Sequence, residues 1–160
     1  SVILALVERE AGLTVLFTER AAHLKDHAGQ ISFPGGRIGP GETAVDAALR
    51  EAHEEVGLAP ADVEVLGHLD DFLTGTGFLI KPVVGYVSAA SFVPRPDPTE
   101  VASVFEVPLA YVMEPANVTA SYRERLEARF KTYELQHSGH RIWGATAAIL
   151  VNFRDIVSHA

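Results

Sequence analysis

The chain contains no cysteine and only one methionine, Met113. Disulfide bonds and thiolate metal ligands are therefore excluded, and any metal ion must bind oxygen or imidazole ligands. No apolar run approaches the ~20 residues that a membrane-spanning helix needs. The sequence shows no signal-peptide pattern, so we expect a cytoplasmic protein. Because the sequence starts at Ser1, we also expect further residues to precede it.

Positive charge is scarce, with 13 lysines and arginines against 21 acidic residues and a net charge of −8. This charge repels nucleic acid and anionic membranes, so we expect neither as a partner unless a bound cation intervenes. The length of 160 residues and the hydrophobic fraction of 48% are typical of one globular domain that spans residues 1–160. The sequence carries no signal for the oligomeric state.

Short apolar segments and two longer helical patterns divide the chain. Strands are predicted at 2–8, 13–19, 31–33, 63–69, 78–87, 100–107 and 129–136, and helices at 43–56 and 143–157. Pro82 and Gly85 suggest a bulge or an edge strand in the fifth of these strands. Hairpins mix with helices outside strict strand–helix alternation, which favours an α+β layered sandwich.

Residues 36–58 join a glycine-rich loop to a capped helix that carries acids at its end. Thr43 and Asp46 have the spacing of a capping box, and Gly57 is a natural helix terminator. Because a helix turns about 100° per residue, Glu51 and Glu55 share one face and Glu54 lies beside them. We expect Glu51 and Glu55 to be surface groups.

Three neighbouring carboxylates repel one another unless a cation neutralises them. Oxygen ligands select a hard cation such as Mg²⁺ or Mn²⁺, which would also attract an anionic substrate. A solvated acidic helix face is the alternative, but acids at the C-terminal end of a helix oppose its macrodipole by roughly 0.3–1 kcal/mol each. We further expect Glu42 to form an ion pair with Arg50 that fixes the loop.

The segment 36–58 resembles the Nudix box, G-x5-E-x7-R-E-U-x-E-E-x-G-U, at every position, where U is aliphatic. Ala52 is the one soft departure, since the family usually has a bulkier residue there. The resemblance implies hydrolysis of a nucleoside diphosphate linked to another group, in an α/β/α sandwich with a mixed sheet. It also implies that Glu51 and Glu55 bind the cation, that Glu54 acts as ligand or base, and that the Gly36 carbonyl completes the coordination.

The preceding residues 16–36 are similar to a second motif, L-L-T-x-R-[SA]-x3-R-x3-G-x3-F-P-G-G, found in coenzyme A pyrophosphatases. Two positions differ from it, Phe17 and Lys25. Lysine keeps the charge of the family arginine but loses its bidentate fork for phosphate. Arg20, Lys25 and Arg37 surround the glycine loop in sequence, and could neutralise the phosphates of such a substrate.

These resemblances predict a metal-dependent pyrophosphatase that cleaves coenzyme A to 3′,5′-ADP and 4′-phosphopantetheine, with derivatives of coenzyme A as further candidate substrates. Glu51, Glu54 or Glu100 would accept the proton of the attacking water. Glu100 is a candidate base or extra metal ligand, because it follows a proline-rich loop that could face the metal. Two alternatives stay open: a Nudix hydrolase for a dinucleotide or nucleotide sugar, and a non-catalytic nucleotide-sensing domain.

Overall fold

The structure is a computed structural model that describes residues 1–88, 92–126 and 128–160. The described residues form the strands β1 (Val2–Arg9), β2 (Gly12–Arg20), β3 (Ile31–Ser32), β4 (Val63–His68), β5 (Phe72–Leu73), β6 (Leu79–Ile80), β7 (Pro82–Val87), β8 (Val101–Pro108), β9 (Val118–Arg125), β10 (Ala128–His137) and β11 (His140–Trp143). The helices are α1 (Ala44–Val56), α2 (Leu109–Met113) and α3 (Gly144–Ser158). Single 3₁₀ turns cover Pro60–Asp62 and Pro115–Asn117.

The main sheet is mixed and has six strands, ordered β3-β2-β1-β7-β4 with β8 also paired to β2. Strands β1 and β7 run parallel, whereas β4 is antiparallel to β7 and β8 is antiparallel to β2. A smaller sheet has the order β11-β10-β9, and β5 and β6 form a separate hairpin.

Strands β1 and β2 pair at one end and separate at the other. Their register runs from Leu6 opposite Val15 to Arg9 opposite Gly12. Beyond it, the segment 31–35 lies between the two strands. There β3 pairs with the end of β2, and the Ile3 amide donates to the Pro34 carbonyl at 2.9 Å. The segment that fills this gap leads directly into the glycine loop at Gly35 and Gly36, which therefore lies beside the start of β1 and next to α1.

The two faces of β1 bury alternate side chains, which explains its continuous apolar run. One face packs against α1 and the other against α3 and the smaller sheet. The first cluster includes Ile3, Ala5, Val7, Ala48, Ala52 and Val56. The second includes Leu4, Leu6, Phe17, Leu135, Ile142, Leu150 and Phe153. Helix, sheet and helix thus form three layers, and the predicted α+β sandwich with a mixed sheet is confirmed.

Several predicted boundaries were wrong. The strand at 118–125 was missed, because seven of its eight residues are exposed and give no apolar pattern. The segment 78–87 divides at Lys81 into β6 and β7. Strand β7 lies between β1 and β4, so Pro82 does not mark an edge but the first residue of a central strand. The bulge lies in β4, between Val65 and Gly67.

Candidate active site

Helix α1 begins and ends where its sequence predicts. The Thr43 hydroxyl accepts from the Asp46 amide, and the Asp46 carboxylate accepts from the Thr43 amide, both at 3.1 Å. Gly57 adopts the left-handed conformation at φ 73° and its amide donates to the His53 carbonyl. Ala52 is fully buried, so the helix lies close to the sheet where the family pattern has a larger side chain. The acids at the C-terminal end of α1 are therefore held on a fixed backbone.

Arg50 fixes the loop that precedes the helix. Its Nε donates to Glu42 Oε1 at 2.6 Å and its Nη2 donates to Glu42 Oε2 at 3.1 Å, which confirms the predicted ion pair. Glu42 Oε2 also accepts from the Gly39 amide at 2.7 Å. The guanidinium of Arg50, followed by the Gly39 amide, lowers the pKa of Glu42 to about 2. The carboxylate therefore stays ionised and holds both partners.

Three carboxylates converge beside this loop. Oxygens of Glu51, Glu55 and Glu100 all lie within 4.8 Å of one another. Glu51 is half-buried and Glu100 is exposed, but Glu55 is only 5% exposed. The expectation that Glu55 is a surface group was wrong. Its position seven residues after the fully buried Ala48 puts it on the same side of the helix, which a helical projection could have shown.

The environment of Glu55 disfavours a negative charge. Burial raises the pKa of Glu55 to about 8, although the Gly35 amide donates to its Oε2 at 3.3 Å and opposes the shift. The nearby charges of Glu51 and Glu100 raise this pKa further, and that of Arg20 lowers it. In the metal-free protein Glu55 therefore keeps its proton near neutral pH, and a bound cation would favour its ionised form.

Glu54 does not join the three converging acids. Its side chain is 52% exposed, and Oε2 lies 3.4 Å from Nη1 of Arg50. Glu100 comes from the loop before β8 and takes the third position instead. Its distance of 45 residues from Glu55 is why the helix pattern alone did not place it in the cluster. The roles predicted for Glu54 as ligand or base stay predictions.

Gly36 lies directly against Glu51. A Cβ atom at this position would collide with the Glu51 carboxylate, which would have to move away from its present position. The Gly36 carbonyl accepts from the Ser1 nitrogen at 2.8 Å. Its predicted role as a metal ligand stays a prediction.

Arg20 lies at the base of the loop 21–29, next to the acids. Its amide donates to the Gln30 carbonyl, and its carbonyl accepts from the Gly29 amide. The next amide, that of Ala21, donates to the Glu100 carbonyl at 2.9 Å. The Nε of Arg20 is buried and has no hydrogen-bond partner among the described residues. A cationic side chain with an unused donor therefore lies close to the carboxylates.

Lys25 and Arg37 are both exposed. Lys25 lies within the loop that Arg20 closes, and it forms no ion pair with the described part of the chain. The Arg37 carbonyl accepts from Arg50 Nη2 at 3.1 Å, which fixes its backbone. Both cations are thus available to a substrate, and their binding roles stay predictions.

The donor set fits a hard divalent cation. All three convergent side chains offer carboxylate oxygens, which Mg²⁺ and Mn²⁺ prefer, and no softer ligand belongs to the cluster. Burial, with a smaller contribution from Glu51 and Glu100, raises the pKa of Glu55, so its carboxylate needs a cation beside it to ionise at neutral pH. Glu51, Glu55 and Glu100 are therefore the residues that would hold such an ion.

The mixed-sheet sandwich presents acids on a capped helix beside a glycine loop, an arrangement suited to a divalent cation and an anionic ligand. A family model described as the NUDIX domain matches residues 1–128. The chain belongs to the Nudix family of hydrolases.

Curated relatives agree with this assignment. The chain is 34% identical over 168 residues to Nudix hydrolase 3 of Caenorhabditis elegans, with coverage of 94% of this chain and 69% of that protein. It is 40% identical over 139 residues to an uncharacterized Nudix hydrolase, NudL, of Pectobacterium atrosepticum, covering 86% and 71%. The chain is thus an enzyme that hydrolyses a nucleoside diphosphate derivative, and enzymes of this family use divalent metal ions.

Solved structures share the fold. The Nudix hydrolase RenU of M. smegmatis superposes with a TM-score of 0.61 at 20% identity, covering 98% of this chain and 83% of that one. The C. elegans Ap4A hydrolase gives a TM-score of 0.58 at 16% identity, covering 68% and 79%. Among the residues that the structure describes, no helix has the length and hydropathy to cross a membrane.

Proposed function

We propose that this Nudix hydrolase is a coenzyme A pyrophosphatase that uses Mg²⁺ or Mn²⁺ and yields 3′,5′-ADP and 4′-phosphopantetheine. The observation that carries the proposal is the hydrogen bond from the Ala21 amide to the Glu100 carbonyl. It joins the loop that resembles the coenzyme A motif to the acid cluster. We also propose that residues 1–160 form one domain and that the protein acts in the cytoplasm on a small molecule.

Each polar group near the cluster has a proposed role. Glu51 and Glu55 are the main ligands of the cation, and Glu100 and the Gly36 carbonyl offer further oxygens. The cation, when bound, supplies the charge that stabilises the diphosphate and acidifies water. Glu100 is the most exposed of the three acids, so it is the best placed to accept the proton of the attacking water. Glu54 and Glu51 are the other candidates for this proton.

The cations of the loop bind the anionic parts of the substrate. The free Nε of Arg20 points to a phosphate oxygen as the missing acceptor, since a buried donor without a partner costs about 1–3 kcal/mol. Lys25 lies farther along the same loop and would meet a more remote group, the 3′-phosphate. Arg37 follows the glycine loop and would face the diphosphate.

A substrate comparison tests this proposal. With Mg²⁺ present, kcat/KM for coenzyme A should exceed that for dephospho-coenzyme A by at least about tenfold, because a charge-assisted contact contributes about 1.5–3 kcal/mol. Lys25→Ala should remove most of this difference, and Lys25→Arg should keep it. Lys131→Ala, which changes an exposed lysine of β10, is the matched control.

The same substrate comparison can also contradict the proposal. Equal rates for the two coenzyme A forms, or faster cleavage of a dinucleotide or nucleotide sugar, would contradict the coenzyme A assignment. In that case the alternative Nudix substrate would be supported, while the family assignment would stand.

A further inference from the structure

The turn that carries Glu100 is built around Asp97. Asp97 Oδ1 accepts two hydrogen bonds from Thr99, from the amide at 2.9 Å and from the hydroxyl at 2.7 Å. The Asp97 carbonyl accepts from the amides of Glu100 at 3.1 Å and Val101 at 2.8 Å. One residue therefore organises the backbone on both sides of Glu100.

The same turn is attached to the helix that carries the other acids. The Asp97 amide donates to the Glu55 carbonyl at 2.9 Å, and the Arg95 amide donates to the Val56 carbonyl at 2.8 Å. These carbonyls at the end of α1 have no partner within the helix, so the loop satisfies them. Two backbone hydrogen bonds thus connect Glu100 to Glu55 through Asp97: the Glu100 amide donates to the Asp97 carbonyl, and the Asp97 amide donates to the Glu55 carbonyl.

The turn also contacts the predicted substrate loop. His23 Nε2 donates to the Thr99 carbonyl at 2.9 Å, and the Ala21 amide donates to the Glu100 carbonyl. A displacement of the turn would therefore change the acid cluster and the loop together.

We infer that Asp97 is a positioning residue, whose side chain holds the turn 97–100 so that Glu100 meets Glu51 and Glu55 at the cation site. The inference rests on the proposed use of Glu100 at a metal-dependent site. Asp97 does not belong to the acid cluster, so it acts through Glu100 rather than as a ligand. Hydrogen bonds from Thr99 lower the pKa of Asp97, so the acceptor is ionised and strong at neutral pH.

Two substitutions separate geometry from charge. Asp97→Ala removes both the acceptor and the negative charge, whereas Asp97→Asn removes the charge and keeps an oxygen that accepts from Thr99. If Asp97 acts by holding the turn, Mn²⁺ affinity measured by calorimetry should fall about tenfold in Asp97→Ala and less than about twofold in Asp97→Asn. If Asp97 acts only as a nearby charge, the two variants should lose the same affinity, which would overturn the inference.

A double-substitution cycle tests the route through Glu100. In a Glu100→Ala background, Asp97→Ala should produce no further loss of Mn²⁺ affinity. The same tenfold loss in both backgrounds would show that Asp97 acts elsewhere and would overturn the inference. With the substrate, Asp97→Ala should lower kcat with little change in KM, and Asp97→Asn should restore kcat.

Failure of the proposed function would give a different result from failure of the positioning role. If the wild-type protein binds no Mn²⁺, the metal site itself is contradicted and the inference falls with it. If the wild type binds Mn²⁺ and cleaves its substrate while Asp97→Ala matches it in affinity and kcat, only the positioning role is overturned.

Discussion

Replacing Glu55 with glutamine should make the metal-free protein more stable while it removes cation binding. Burial raises the pKa of Glu55 to about 8, against an ordinary value of 4.5. Between these values the folded protein holds a proton that the unfolded chain releases. The contribution of Glu55 to the free energy of unfolding is therefore most favourable below pH 4.5 and is lost as the pH rises towards 8.

The size of the effect follows from the two pKa values. Linkage gives a cost to the metal-free protein of about 3 kcal/mol at pH 7 and about 1 kcal/mol at pH 5. Glutamine is uncharged at both values, has nearly the same shape, and keeps an oxygen that can accept from the Gly35 amide. Glu55→Gln should therefore raise the free energy of unfolding by these amounts.

Urea denaturation in the presence of EDTA at pH 5 and pH 7 measures this difference. Glu54→Gln is the matched control, because Glu54 is the next residue on the same helix and is exposed. It should change stability by less than about 0.5 kcal/mol at either pH. If Glu55→Gln is no more stable than the wild type at pH 7, burial of Glu55 does not impose the free-energy cost that we calculate from its raised pKa.

Metal addition should reverse the order of the two proteins. A ligand that binds only the folded state adds about 4.1 kcal/mol at a thousand times its dissociation constant, which exceeds the cost of about 3 kcal/mol at pH 7. Mn²⁺ should therefore stabilise the wild type strongly at pH 7 and should leave Glu55→Gln almost unchanged. Binding to the wild type should also release protons, since Glu55 must ionise to become a ligand.

Three further outcomes follow from the contacts of the site. Glu51→Gln should lower kcat by at least about 100-fold in steady-state kinetics, while the melting temperature measured by calorimetry changes by only a few degrees. A loss of tenfold or less would contradict the role of Glu51 as a metal ligand. Gly36→Ala should reduce Mn²⁺ affinity at least about tenfold, because the added methyl collides with the Glu51 carboxylate; unchanged affinity in a titration would refute this. Glu42→Gln should lower kcat more than stability, since its partner Arg50 is 37% exposed and such pairs contribute little to folding. The effect of Glu42→Gln on kcat should persist down to about pH 4.5 and fade as the pH falls towards the Glu42 pKa of about 2.

Local features of the site were predictable because local rules decide them. The capping box at Thr43, the stop at Gly57 and the ion pair between Glu42 and Arg50 all depend on residues within one loop and helix.

Features that depend on packing could not be predicted so well. Glu55 lies on the buried side of α1, as its spacing from Ala48 indicates, but the groups that bond to it, the amides of Gly35 and Asp97, come from other segments and are not visible in the helix sequence. Glu100 reaches the cluster from a turn that is hydrogen-bonded to the end of the helix through Asp97, a contact between segments that are distant in sequence. Strand β9 is stabilised by pairing with β10 rather than by burial, so its exposed residues gave no strand pattern.

Product analysis with coenzyme A tests the central claim most directly. Purified protein with Mn²⁺ should convert coenzyme A to 3′,5′-ADP and 4′-phosphopantetheine, as separated by chromatography, and EDTA or Glu51→Gln should stop the conversion. Intact coenzyme A after hours of incubation, with Mn²⁺ bound to the protein, would contradict the claim.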